Sequence, residues 1–134
     1  MNKLLIPLLL LSGIALAQTA SKVTRQPLPT EGATAVKTFD DRVLRALAVS
    51  EGKRCQVSEV WQYAKASEDE YRKLVDGFSD ALKKAGWKVE PKGQLAQGGS
   101  TVEAYKLSGA KGEAVMAYWL LAKGSSQLYW CRLG

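Results

Sequence analysis

The chain has 134 residues, enough for one domain and too few for two, and 46% of them are apolar, as in a globular protein with its own core. Nineteen basic and thirteen acidic residues leave a formal charge of +6, which suits acidic polymers or anionic surfaces, but the cations are scattered and form no dense run. There is no histidine, which removes the commonest general base and the commonest metal ligand.

Met1 to Ala17 reads as an export signal. Lys3 supplies the positive start, Leu4 to Leu11 the apolar run broken only by Pro7, and Ala15-Leu16-Ala17 the small-x-small cleavage rule. Cleavage would start the mature chain at Gln18 and, with Lys3 gone, lower the charge to +5. The apolar run is short for a membrane span, so no span is expected after cleavage. A secreted or periplasmic location follows.

Residues 18–35 are polar, hold Pro27, Pro29 and Gly32, and show no period, so a disordered linker is expected. Residues 36–134 read as one α+β domain. Thr38 to Val49 suggests a short first helix, with Phe39, Val43, Leu44 and Leu47 on one side; a strand over Arg42–Val49 is the competing reading. Cys55 to Lys65 reads as a strand with Val57, Trp61 and Tyr63 sharing a side.

The stretch Ser67–Trp87 carries the strongest local signals. Ser67 and Glu70 form a capping box, and acidic residues open the helix while Lys83 and Lys84 close it. Tyr71, Leu74, Val75, Phe78 and Leu82 make an apolar stripe, and Gly86-Trp87 suits a Schellman ending. Gly77 argues against helix by about 1 kcal/mol and suggests close approach to a strand. A short strand at Trp87–Glu90 should stop at Pro91, with Pro91–Ser100 a glycine-rich loop. Strands follow at Thr101–Ser108, Glu113–Ala122 and Gln127–Leu133; the middle one is apolar on both sides, as inside a sheet.

The expected fold is one mostly antiparallel sheet of about five strands, a long amphipathic helix on one face and a short N-terminal helix. In an exported chain the lone pair Cys55 and Cys131 should form a disulfide. A crossover through the long helix and a three-strand meander would bring the last strand antiparallel beside the first, joining those two ends. If both cysteines face the long helix, so do Val57, Trp61, Tyr63, Tyr129 and Leu133. Gln56, Ser58, Gln62, Trp130 and Arg132 then face away, and this mixed surface is the candidate binding face.

Catalytic and metal signatures are missing. The cysteines are committed, no histidine activates a serine, and Gly98-Gly99 fits no phosphate loop. No metal and no cofactor are expected. Glu59, Glu103 and Glu113 are the carboxylates read on strands, with nothing marking a pair. Trp61, Trp87, Trp119 and Trp130 sit among basic residues, but core packing explains most of them, and nucleic acid is not an expected partner. From Cys55 onward the order of elements resembles small exported α+β domains, which implies no activity. The leading expectation is a non-enzymatic binding module of the cell envelope or extracellular space, its partner an unknown protein or envelope component. A carboxylate-dependent hydrolase of envelope polysaccharide and a binder of anionic polymers are the alternatives.

Overall fold

The computed structural model describes residues 18–29, 33–97 and 100–134; the expected signal segment lies outside them, as does Gly98-Gly99. The chain forms β1 (Gln18–Ala20), β2 (Pro27–Pro29), β3 (Ala33–Ala35), α1 (Arg42–Ser50), β4 (Cys55–Tyr63), α2 (Glu68–Lys84), β5 (Lys88–Gln97), β6 (Ser100–Ser108), β7 (Ala114–Ala122) and β8 (Ser125–Leu133). One six-stranded antiparallel sheet runs β3-β4-β8-β7-β6-β5, and β1 and β2 pair separately as a hairpin. The sheet thus has one strand more than the expected five, because β3 adds to the outer edge of β4.

Helix α2 is sealed at both ends as its sequence demands. Ser67 Oγ accepts from Glu70 N at 3.2 Å, and the Glu70 carboxylate accepts from Ser67 N at 3.4 Å. At the other end Gly86 takes φ +98°, Trp87 N donates to Leu82 O and Gly86 N to Lys83 O, the Schellman pair. Tyr71, Val75, Phe78 and Leu82 are buried on the sheet. Phe78 meets Trp119 and Trp130 edge to face, with centroids 5.4 and 5.5 Å apart. Gly77 faces solvent with nothing within 4 Å of where a Cβ would stand, so it does not mark a close approach.

Helix α1 starts at Arg42, later than Thr38, with Asp41 at the N-cap position. Leu44 and Ala48, one turn apart, bury themselves on the opposite sheet face, while Val49 is 71% exposed; a strand over this segment would have needed Val49 inside. The molecule therefore has three layers, with α2 and the hairpin on one face of the sheet and α1 on the other.

β5 runs through Pro91 instead of stopping there. It is an edge strand, where a missing N–H is tolerated, and a bulge between Pro91 and Gly93, the latter at φ +103°, absorbs the irregularity. The rest of the expected topology is present: β5 to β8 form a meander, β8 returns antiparallel to β4, and β7 is interior. Cys55 and Cys131 are bonded, their Cα atoms 5.4 Å apart.

The segment expected as a linker is built into the fold where it is described. Val23 is fully buried in the α2-side core, and Ala33–Ala35 extend the sheet. Four hydrogen bonds hold the hairpin against this face. Glu59 accepts from Ser21 Oγ (2.6 Å) and Lys22 N (2.8 Å), Gln26 Oε1 accepts from Trp87 Nε1 (2.9 Å), and Val23 O accepts from Arg132 Nη1 (3.3 Å). Polar composition hid these anchors, because each partner is distant in sequence.

Candidate functional site

The site is organised by the outer edge of β4. β3 covers only part of it: Ala33, Thr34 and Ala35 pair with Tyr63, Gln62 and Trp61, and Val36 N donates to Val60 O. Residues 37–41 then leave for α1. From Ser58 back to Cys55 the edge has no strand partner among the described residues. Hydrogen-bonding direction alternates along a strand, so with Val60 facing β3, the amide and carbonyl of Ser58 face the same open side.

A groove follows this open edge. One part, about 410 Å³, is bounded by Lys22 from the hairpin, Ala35–Lys37, Phe39 and the β4 residues Ser58–Trp61. A second part, about 320 Å³, lies between Arg45 and Val49 of α1, Lys53-Arg54 and the start of β4. The two parts meet at Ser58. Both fall within the size range of ordinary ligand clefts, roughly 300–1,000 Å³. The walls supply five cations, Lys22, Lys37, Arg45, Lys53 and Arg54, against two carboxylates, Asp41 and Glu59. Asp41 pairs with Arg45 at 3.2 Å, and Glu59 is occupied by Ser21, the Lys22 amide and Trp130 Nε1 at 3.0 Å. Among the described residues no carboxylate pairs with Lys22, Lys37, Lys53 or Arg54. Phe39 lines the groove and packs edge-on against Tyr129, which stacks on Tyr118 at 4.6 Å.

The five residues expected to share a binding face do not. Ser58 and Gln62 lie on the α1 side, and Gln127 Nε2 reaches Gln62 Oε1 at 3.4 Å. Trp130 is fully buried under α2, and Arg132, on the same side, holds the hairpin. Gln56 is exposed, its side chain against Gly134. The cause is a bulge in β4 between Cys55 and Val57. Gln56 is the extra residue, so Cys55 shares a face with Ser58 and not with Val57, Trp61 and Tyr63. The disulfide therefore lies under α1, with Tyr129 and Leu133, and the face assignment built from it is reversed for β8. Only Ser58 of the five lines the groove.

The carboxylates considered for hydrolysis are not gathered. Glu113 precedes β7 and accepts from Lys111 N at 2.8 Å in the turn, instead of standing on a strand. Those turn amides hold its carboxyl below the usual range. Glu103 accepts from Tyr105 Oη at 3.0 Å. Glu59 and Glu103 lie on β4 and β6, three strand steps or about 14 Å apart, beyond the roughly 5–9.5 Å of a glycosidase pair. No group of three or more metal-capable side chains lies together among the described residues. All four tryptophans are buried.

Sequence reasoning missed the groove because its cations stand far apart along the chain; only Lys53-Arg54 are adjacent. Compared with known protein families, characterised proteins and solved structures, the chain returns no match.

Proposed function

We propose that this chain is an exported, non-enzymatic binding module of the cell envelope or extracellular space, engaging its partner along the open edge of β4. The groove carries this reading: a strand edge lacking a neighbour among the described residues, walled by two different elements and lined by five cations, four of them without a carboxylate partner among those residues. Export is supported by the first seventeen residues and by the disulfide, which persists in oxidising compartments. Among the described residues no helix is long and apolar enough to cross a membrane. The same cations favour a second reading, an anionic polymer as ligand, whose binding would weaken steeply with salt.

Site-specific photo-crosslinking in the native envelope tests the module. A probe at Lys37 or Lys53 should give a discrete adduct that a probe at Asp80, on the exposed side of α2, does not. Adducts at Asp80 with none at the groove would overturn the assignment.

A further inference from the structure

Resting on that reading, we propose that the groove takes an extended acidic segment of another protein, which adds to the Cys55–Glu59 edge of β4 as a strand. β3 pairs with Trp61–Tyr63 of β4 and leaves after Val36, and from Ser58 back to Cys55 the outer edge has no strand partner among the described residues. Ser58 presents its amide and carbonyl there, and the groove parts on either side of it leave room for an incoming chain. An added strand alternates its side chains between the two faces. On one face they approach Arg45, Lys53 and Arg54; on the other, Lys22. Carboxylates on both sides would be met by cations.

The same charges argue against other occupants. Residues 1–17 carry one cation and no carboxylate. A second copy offers either this same basic edge or that of β5, where Lys88 and Lys92 flank Glu90. Basic residues and a bulge are devices that keep an edge from pairing with itself. Here they discourage a copy while leaving the edge suited to an acidic chain. A polyanion without backbone amides would use the cations but gain nothing from Ser58.

The test titrates the mature protein with a short peptide of alternating Glu and Val. Its Lys and Val counterpart, an acidic peptide N-methylated at alternate residues, and polyphosphate serve as comparisons. Binding of the acidic peptide is expected, with the Lys peptide at least tenfold weaker. N-methylation of the edge-facing amides should cost about tenfold, the loss of one net hydrogen bond. Hydrogen exchange at the Ser58 amide should slow on binding. K53E/R54E should weaken the peptide at least tenfold. Ser58→Pro removes the outward donor without touching the β8 ladder and should do the same; the N-methylated peptide asks the same question should that variant fail to fold. Polyphosphate binding with no effect of N-methylation and no protection at Ser58 would overturn strand addition while leaving the binding module standing. No binding of the acidic peptide at low salt would overturn the acidic occupant. Loss of groove crosslinks in the envelope would instead remove the module reading itself.

Discussion

Replacing Glu59 tests how the N-terminal hairpin is held. Its carboxylate accepts from Ser21 Oγ, Lys22 N and Trp130 Nε1 at 2.6, 2.8 and 3.0 Å. In Glu59→Ala the exposed Lys22 amide can turn to water. Trp130, fully buried, cannot, and its stranded N–H should cost about 1–3 kcal/mol. If the hairpin then lifts, Val23 leaves the core for another ~1.5–3 kcal/mol. A total of about 2.5–6 kcal/mol is a large part of a small domain's stability. Glu59→Gln keeps one acceptor oxygen but turns an N–H₂ group toward donors, so about 1–2 kcal/mol is expected. Urea unfolding followed by tryptophan fluorescence should rank wild type above Gln above Ala. Trypsin should cut after Lys22 and Arg25 in the Ala variant at urea concentrations that leave α2 folded. An Ala variant within ~1 kcal/mol of wild type, with both sites still protected, would refute the anchoring role.

Reducing the disulfide deletes no atoms and frees a loop of sequence separation 76, for which chain entropy predicts a loss of about 4.5 kcal/mol; equal urea midpoints for oxidised and reduced protein would contradict this. Gly77→Ala, at an open helical position, should stabilise by up to about 1 kcal/mol, and a lower melting temperature would show an unseen contact there. Ser67→Ala should cost about 1 kcal/mol through the lost cap, visible as a lower urea midpoint. All five tyrosines hold their protons above the ordinary range, chiefly through burial, Tyr105 up to about 12. The unfolded chain releases those protons near pH ~10, so this stabilisation is full below that pH and is lost as pH rises toward the folded values. Phenolate absorbance should stay flat through pH ~10 and rise with unfolding; a reversible phenol titration in folded protein at that pH would count against it.

Helix α2 was legible almost to the residue because both of its ends are closed by local chemistry, Ser67 with Glu70 and Gly86 with Trp87. The partnership of β4 with β8 followed from alternating strand direction plus two cysteines. Sidedness did not, because the Gln56 bulge changes parity inside β4 and leaves no mark in composition. The strands at 18–20, 27–29 and 33–35 were equally hidden: Val23 and Leu28 are the large apolar residues of a polar stretch, and the hairpin's anchors Glu59 and Arg132 lie on distant strands. The groove's cations, at positions 22, 37, 45, 53 and 54, come together only when α1 and the hairpin settle on opposite faces of one strand.

The pairing of β4 with β8 also sets the order in time. The partner of Cys55 is Leu133 of β8, so the first long strand waits until α2 and three further strands have been made. Such non-local closure is slow. A chain still emerging from the ribosome lacks the piece that would lock it. Until β8 is made, β4 keeps its inner edge open.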